Sequence, residues 1–423
     1  MKKIIAYLHA VVLLLLVLVP VSCMKDRVNY TYTIETPVLQ TLSQVRAGIK
    51  TGPIKPIENA GKIYSFGKYI FLNELERGIH IIDNSNPAHP ENIGFINIPG
   101  NENMAVKGSM LYADSYSDLV ALDISNPLHV APTQFLSNIF SNRSFYYSNS
   151  TNPDSILIVV DWIAKDTTVD YNTYQRYMSC SGFAGCWYPA AYMSSVAAPA
   201  ASGSKGIGGS TARFTIVGDY LYTLSSPDLS SFDISTGNPR AAGKVSVDWS
   251  AETIYPFKDK LFVGASNGMS MYDILSDPAN PKTTGKFAHA RSCDPVVADD
   301  NYAYVTLSSG TQCQGFENEL DIVNIKDIYK ATLTKTYALN HPKGLAKDGN
   351  ILFICDESEG LKIYDASDVN NLHLLKHFKD ASTIDLVVNN GLAVVLTKNG
   401  LYEYDYSDIN NIHLLGMLLT LKV

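Results

Sequence analysis

The sequence lacks the motifs that identify most enzyme classes. No nucleophile elbow, phosphate-binding loop, zinc-binding helix or haem-attachment motif occurs in its 423 residues. The glycine-rich stretch Gly203–Gly209 neither follows a predicted strand nor opens a helix, so we interpret it as a flexible loop. The 9 histidines are scattered, and we predict no metal site and no cofactor.

Runs of basic residues are also missing. The chain has 33 lysines and arginines against 41 aspartates and glutamates, a formal net charge of −8. Removing the first 22 residues takes away Lys2 and Lys3 and gives a net charge of about −10. This acidic balance argues against a nucleic-acid partner and against docking to anionic lipid through protein charge.

After residue 21 there is no sustained apolar period of 3.6 residues, which argues against an alternating strand–helix fold. Short apolar runs separated by polar turns occur instead. The clearest unit contains the runs Asn350–Cys355, Leu361–Asp365 and Leu372–Phe378, with the turn Asp356–Gly360 after the first. Alternating β-branched and aromatic residues between such turns predict hairpins.

A phrase that ends in Asp and continues into a Pro/Asn turn recurs along the chain. It occurs in Gly78–Pro87, Leu119–Pro127 and Leu229–Pro239, and a degenerate copy passes through Asp321 and Asn324. The recurring acidic residues are Asp83, Asp123, Asp233, Asp273, Asp365 and Asp405. Three intervals equal 40 residues (83 to 123, 233 to 273, 365 to 405), which indicates one repeated supersecondary unit. Since Asp side chains bond backbone groups two residues on, these residues are most simply turn formers.

Four short strands in every ~40 residues predict an all-β fold, a β-propeller of four-stranded blades. Counting the second strands gives eight units, so eight blades are favoured, with seven as the alternative. The doubtful unit is the third, Asp154–Asp161, which lacks the Pro turn. The first and last units each have their own inner and outer strands, so we expect closure by packing between these blades without a shared strand.

The units resemble the LVIVD repeat of bacterial and archaeal cell-surface proteins. Leu119–Pro127 and Gly78–Pro87 carry the resemblance best, and it extends over about residues 61–419, with the third and sixth units eroded. The resemblance implies a propeller at the cell surface and does not imply a particular reaction.

The N-terminus has the organisation of a secretory signal. Lys2 and Lys3 precede an apolar run from Ile4 to Val21, and Cys23 follows directly. This pattern predicts a lipoprotein signal peptide over residues 1–22, cleaved before Cys23 and lipidated there; an uncleaved membrane helix is the alternative. Residues 23–60 are predicted to form a lipid-anchored tether, and residues 61–423 the propeller. We therefore expect an outer-membrane protein that is lipid-anchored and exposed at the surface.

The cysteines fit an oxidising compartment. Cys293 begins a predicted inner strand and Cys313 lies in the next hairpin loop, two places that share one face of a propeller. We predict a disulfide between them, and a second between Cys180 and Cys186, which flank a short loop. Cys355 lies inside an apolar strand and is predicted to be a buried thiol.

Residues that enter the inner strands of a propeller surround its central channel. Aligning the units gives the ligand-binding candidates Asn103, Arg213, Glu252, Asp294, Lys343 and Asp385. Both signs of charge are present, so a carboxylate- or hydroxyl-rich ligand fits this position. The alternative is an ordinary solvated channel, which also shows a ring of polar residues.

A second candidate site is the insertion at about residues 164–212, which interrupts the repeat. It holds many aromatic residues, among them Tyr177, Trp187 and Tyr188. Aromatic side chains on a loop held by a rigid scaffold suit stacking on a sugar or anchoring a partner. Packing of these rings on the neighbouring blade is the alternative.

The leading hypothesis is a non-enzymatic binding module for a glycan or protein partner at the cell surface. The alternative is a hydrolase or lyase that acts on polysaccharide in the central channel. Glu252 and Asp294 would then serve as acid and base if their carboxyl groups lie ~5–10 Å apart.

Overall fold

The computed structural model describes residues 29–140, 152–170, 207–210, 212–289, 295–309 and 317–420. The chain divides into two compact units, one of residues 1–38 and 161–192, the other of residues 39–160 and 193–423. Strands β1 (Asn29–Thr41) and β11 (Leu157–Asp170) form a two-stranded sheet. The Thr33 hydroxyl donates to Asp166 Oδ1 at 2.7 Å across this pair.

The second unit is a β-propeller of seven four-stranded blades. Blade 1 contains β3 (Ala60–Phe66), β4 (Tyr69–Glu74), β5 (Gly78–Asp83) and β6 (Glu91–Asn97). Blade 2 contains β7 (Met104–Lys107), β8 (Met110–Ser115), β9 (Asp118–Asp123) and β10 (Ala131–Leu136). Blade 3 contains β13 (Phe214–Val217), β14 (Tyr220–Ser225), β15 (Asp228–Asp233) and β16 (Arg240–Ser246). Blade 4 contains β17 (Ala251–Phe257), β18 (Lys260–Ala265), β19 (Gly268–Asp273) and β20 (Lys282–Ala288).

The remaining three blades follow the same order. Blade 5 contains β21 (Val296–Ala298), β22 (Tyr302–Leu307), β23 (Glu319–Asn324) and β24 (Thr332–Ala338). Blade 6 contains β25 (Leu345–Asp348), β26 (Ile351–Cys355), β27 (Leu361–Asp365) and β28 (His373–Phe378). Blade 7 contains β29 (Thr383–Asn389), β30 (Leu392–Thr397), β31 (Gly400–Asp405) and β32 (His413–Leu419).

The propeller is therefore confirmed, and the preference for eight blades is wrong. The third unit, Asp154–Asp161, does not build a blade, because its apolar residues begin the 14-residue strand β11, whose partner is β1. The chain passes from β10 of blade 2 to β13 of blade 3 with β11 lying between them in sequence.

The segment predicted as a tether contains regular structure within its described part. Helix α1 (Leu42–Ala47) begins at a capping box, in which the Gln44 N–H donates to Thr41 Oγ1 at 3.2 Å and the Thr41 N–H to Gln44 Oε1 at 2.8 Å. Strand β2 (Lys50–Gly52) then pairs with β6 and extends blade 1 outward. No helix in the described ranges is long and apolar enough to cross a membrane. The predicted signal peptide and the lipidation site Cys23 lie outside the described residues.

The recurring Asp residues form turns, as predicted. The backbone N–H two residues on donates to the side chain of Asp83, Asp123, Asp233, Asp365 and Asp405 at 2.8–2.9 Å. Asn324 does the same for Lys326 at 3.0 Å, and Asp273 accepts from Ser276. The hydrogen bonds from Ser85, with the charge of Lys68, lower the pKa of Asp83 to about 2.

The turns of blades 4 and 1 pack closely against a glycine in the fourth strand of blades 3 and 7, respectively. In all seven blades the pairing between the third and fourth strands shifts register at the same place. A Cβ at Gly243 would lie 2.1 Å from the Ala279 carbonyl oxygen, and one at Gly416 would lie 2.5 Å from the Ala88 carbonyl oxygen. Glycine is needed there because the next blade's turn approaches so closely.

The first strands of the blades form a closed ring, in which β29 of blade 7 contacts β3 of blade 1. Neither of these two blades borrows a strand from the other, as expected from the sequence. Asn84 Nδ2 donates to Glu403 Oε2 at 2.9 Å across this seam. Burial raises the pKa of Glu403 to about 7.

Candidate functional site at the channel mouth

The candidate residues lie at one end of the ring of inner strands, which we call the channel mouth. Asn103, Arg213, Glu252, Lys343 and Asp385 precede or begin inner strands, so the structure brings them to the same end. The sixth candidate, Asp294, lies outside the described residues, as do Tyr177, Trp187, Tyr188 and all four cysteines of the predicted disulfides. Cys355 is a buried free thiol, as predicted.

Strand register assigns one residue of each blade to a common layer. In every blade the inner strand pairs with the second strand, and one inner-strand residue has the fourth residue of the second strand as its partner. The residue directly before that inner-strand residue is the one assigned to the layer. The mouth layer defined in this way is Lys62, Asn103, Arg213, Thr253, Pro295, Gly344 and Asp385. Glu252 and Lys343 lie one position before the layer residues Thr253 and Gly344. Aligning the repeats by sequence therefore chose a residue one position too early in these two blades. Because side chains alternate along a strand, Glu252 points to the opposite face of β17 from the layer residue Thr253.

Most of the mouth layer is buried, and the more accessible groups lie at its edge. Lys62 is 5% exposed, Asn103 3% and Asp385 0%, whereas Arg213, Glu252 and Lys343 are half-buried. A ligand at the mouth can therefore contact the last three directly. The buried polar residues beneath them set the local electrostatic field.

Lys62 and Asn103 are held in place by the loop that enters blade 2. Lys62 Nζ donates to Asn103 Oδ1 at 3.0 Å. Asn103 Nδ2 donates in turn to Asp114 Oδ2 at 2.6 Å, and the Asn103 N–H to Asp114 Oδ1 at 2.9 Å. Sequence reasoning missed Lys62 because it looks like an ordinary alternating polar residue. Its place in the register of the repeat is the signal that would have found it.

Arg213 and Glu252 form an adjacent polar group between blades 3 and 4. Arg213 Nε donates to the backbone carbonyl of Glu252 at 3.3 Å. Burial raises the pKa of the Glu252 carboxyl, while the positive charges of Arg213 and Lys62 oppose that rise. Glu252 is therefore easier to protonate than an exposed glutamate.

Lys343 lies on the other side of the mouth, in the link that enters blade 6. Its Nζ is 3.8 Å from Glu357 Oε2, and Glu357 also pairs with Lys398 at 2.5 Å. Asp356, the residue before Glu357, is buried and accepts a hydrogen bond from the N–H of His341 at 2.6 Å. These bonds fix the link that positions Lys343.

A short segment of the chain, Ile207–Ser210, enters the mouth and lies against the inner strands. We call it the inner arm. Strand β12 (Ile207–Gly208) pairs with β3, and the Gly209 N–H donates to the Ile63 carbonyl at 3.2 Å. The prediction that Gly203–Gly209 is simply a flexible loop is therefore wrong for its last three residues. The sequence gave no sign that this segment would hydrogen-bond to the backbone of β3 in blade 1.

Ser210 connects the inner arm to blades 6 and 7. Its N–H and its hydroxyl donate to Asp385 Oδ1 at 3.1 and 3.2 Å, and its oxygen accepts from the Leu345 N–H at 2.6 Å. Asp385 Oδ2 is buried without a hydrogen-bond partner among the described residues. Burial raises the pKa of Asp385 to about 7, although bonds from Leu386 and Ser210 and the charge of Lys62 act in the opposite direction.

Glycines make room for this contact. A Cβ at Gly209 would lie 1.5 Å from Asp385 Oδ2, and one at Gly344 would lie 1.8 Å from Asp385 Oδ1. A cavity of about 70 Å³ adjoins the arm and is lined in part by Ser210, Tyr255 and Leu345, which leaves room for water molecules.

The described residues contain no cluster of His, Cys, Asp and Glu that could hold a metal ion. The groups that converge at the mouth are cations, an amide and carboxylates. Such a set can bind carboxylate or hydroxyl groups through charge-assisted hydrogen bonds.

Comparison with known proteins identifies the repeat and the fold. The LVIVD repeat model matches residues 59–97 and 101–131, which cover blade 1 and most of blade 2. No curated protein is detectably similar to the chain in sequence.

Solved structures resemble the chain at low sequence identity, which supports the fold alone. A protein from Lactobacillus plantarum is 12% identical with a TM-score of 0.53, over 86% of this chain and 97% of that one. A putative 6-phosphogluconolactonase from Bacteroides fragilis is 9% identical with a TM-score of 0.52, over 86% and 97%. The computationally designed Ika8 protein is 9% identical with a TM-score of 0.51, over 87% and 91%. The chain therefore carries LVIVD repeats in its first two blades and folds as a β-propeller.

Proposed function

We propose that this protein is a lipid-anchored surface propeller that binds a glycan at the channel mouth. The observation that carries the proposal is that Arg213, Glu252 and Lys343, all half-buried, lie at the same end of the ring as the buried Lys62. The Arg213 side chain donates to the Glu252 carbonyl, and the Lys343 N–H donates to the Cys355 carbonyl, so both residues are held before a ligand binds. A site organised in this way loses less entropy on binding.

The charges favour a glycan that carries carboxylate groups. Three cations, Arg213, Lys343 and Lys62, lie at the mouth with the carboxyl groups of Glu252, Glu357 and Asp385. Burial raises the pKa of Glu252 and Asp385, which reduces the negative charge that opposes these cations. A partly desolvated cation binds a carboxylate more strongly than a fully hydrated one. Glu252 suits the hydroxyl groups of the same ligand.

Binding to a polysaccharide array tests the proposal. We expect the mature domain to bind uronate-bearing polysaccharides, with weaker binding as salt increases. Arg213→Met and Lys343→Met should each reduce affinity, because each removes a cation from the mouth. Lys68→Met is the matched control, since Lys68 pairs with Asp83 at the opposite end of blade 1. Equal loss of binding in the control, or retained binding in both mouth variants, would refute the site.

A protein partner is the competing outcome. If no glycan binds but intact cells display a partner that requires Arg213 and Lys343, the mouth is a protein-binding site.

Catalysis on a polysaccharide is the second candidate, and the raised pKa of Glu252 favours it. A glutamate that stays protonated more readily suits a general acid. Product release should then accompany binding and be lost in Glu252→Gln. Binding without product would remove this candidate.

The surface location rests on the N-terminal sequence. Cys23→Ser should abolish incorporation of labelled fatty acid and release the protein from membranes. Digestion by protease added to intact cells would support exposure at the surface, and protection would place the protein on the inner side.

A further inference from the structure

One exposed aromatic side chain lies on a link that leads into the channel mouth. Trp249 belongs to the link between β16 and β17 and is 72% exposed. It is the exposed large apolar side chain of this link. Glu252 follows three residues later at the start of β17.

The link that carries Trp249 is fixed by hydrogen bonds. The Ala251 N–H donates to the Asp248 carbonyl at 3.0 Å, so Trp249 and Ser250 are the central residues of a turn. The N–H and hydroxyl of Ser250 donate to Asp248 Oδ1 at 2.9 and 2.7 Å.

Both neighbouring blades hold the same link. Asn267 Nδ2 of blade 4 donates to Asp248 Oδ2 at 3.1 Å. The Val247 N–H donates to the Pro227 carbonyl of blade 3 at 2.8 Å. The backbone beneath the indole therefore needs little ordering when a ligand binds, although the side chain itself is exposed.

The surroundings of Trp249 are polar. Its turn contains Asp248 and Ser250, and Glu252 and Arg213 follow toward the channel. A protein hot spot is usually sealed by a well-packed rim that excludes water. A sugar ring instead offers an apolar face for an aromatic ring and hydroxyls for polar neighbours, which is the combination present here.

We propose that Trp249 is a stacking platform for a sugar ring of the bound glycan and that the next part of the glycan lies over Arg213 and Glu252. This assignment rests on the proposed glycan-binding function and extends it from the mouth to the link between blades 3 and 4. The ligand class it implies is an oligosaccharide of at least two rings, one stacked and one carrying a carboxylate.

Titration of the full mature chain with hyaluronan oligosaccharides tests the platform. Trp249→Ala should weaken binding about three- to tenfold, and Trp249→Phe should restore part of the loss because a ring remains. Tyr329→Ala is the matched control, since Tyr329 is also 72% exposed but lies on a turn at the opposite end of the blades. The control should bind as the wild type does.

Fluorescence gives an independent readout. The chain has 3 tryptophans, and stacking on Trp249 should change the emission of the wild type and not that of Trp249→Phe. Wild-type affinity in Trp249→Ala, together with reduced affinity in Arg213→Met, would overturn the platform and leave the mouth site intact. No binding of hyaluronan or of any other uronate-bearing polysaccharide to the wild type would overturn both.

Discussion

The two ends of the blades are built by opposite rules. At the turn end, one position is Asp in six blades and Asn in blade 5. Each of these side chains accepts a hydrogen bond from the backbone of its own turn. At the channel mouth, the seven positions of the mouth layer hold seven different residue types. A residue that recurs in every blade supports the scaffold, whereas a position that differs in every blade is free to specialise.

Changes at the mouth should nevertheless cost more stability than changes at the turns, because the mouth layer is mostly buried and water can replace the bonds of the more accessible turn residues. The largest effect is expected at Asp385. Its folded pKa of about 7 exceeds the ordinary value of 3.8, so the folded state holds a proton that the unfolded state loses. The stability associated with this proton is full below pH 4 and is lost as the pH rises toward 7 and above. In Asp385→Asn this loss should disappear.

Chemical unfolding at pH 5 and pH 8 measures this effect. Between these values the free energy of unfolding of the wild type should fall relative to that of Asp385→Asn by on the order of 2 kcal/mol. Parallel pH profiles of the two proteins would show that Asp385 does not titrate in this range.

The next largest effect is expected for Gly344→Ala. The added Cβ would lie 1.8 Å from Asp385 Oδ1 and 2.8 Å from Asp385 Cα. Overpacking of this kind costs about 1–3 kcal/mol. Thermal unfolding should show a clear loss, with Gly52→Ala as the control, because a Cβ there meets only the Phe95 carbonyl oxygen at 4.0 Å. Equal melting temperatures in the two variants would mean that the contact at Gly344 relaxes easily.

Ser210→Ala should have an intermediate effect. It removes the hydroxyl that accepts from Leu345 and donates to Asp385, and it leaves a buried N–H without a partner, at a cost of about 1–2 kcal/mol. Hydrogen exchange at the Leu345 amide reports this directly. Unchanged protection of that amide would show that the hydrogen bond from the Leu345 N–H to Ser210 does not stabilise the start of blade 6.

The smallest effect is expected at the turn end. Asp405→Ala removes an acceptor for the Ser407 N–H at 2.8 Å and for its hydroxyl at 2.6 Å, but water can replace it at this exposed turn. A loss within about 1 kcal/mol is expected in denaturant unfolding. A loss larger than that of Ser210→Ala would reverse the order of the two ends.

The same contrast explains what the sequence could reveal. The propeller and its turns were predictable because the recurring Asp marks the same strand register in every blade. The count of blades was not, because the apolar strand at Leu157 pairs with a distant segment. Glu252 and Lys343 were aligned one residue early because the links that precede inner strands differ in length. The inner arm lies in the insertion, and Trp249 lies in a link outside the recurring phrase, so periodicity gave no information about them.

The inner arm also has a consequence for the order of folding. Ser210 is separated from Leu345 by 135 residues and from Asp385 by 175. During synthesis, blades 1 to 3 can therefore form well before the partners of the arm leave the ribosome, and contacts of such high sequence separation form slowly. We expect the arm to settle last, so that the ring is complete only when the final blade arrives.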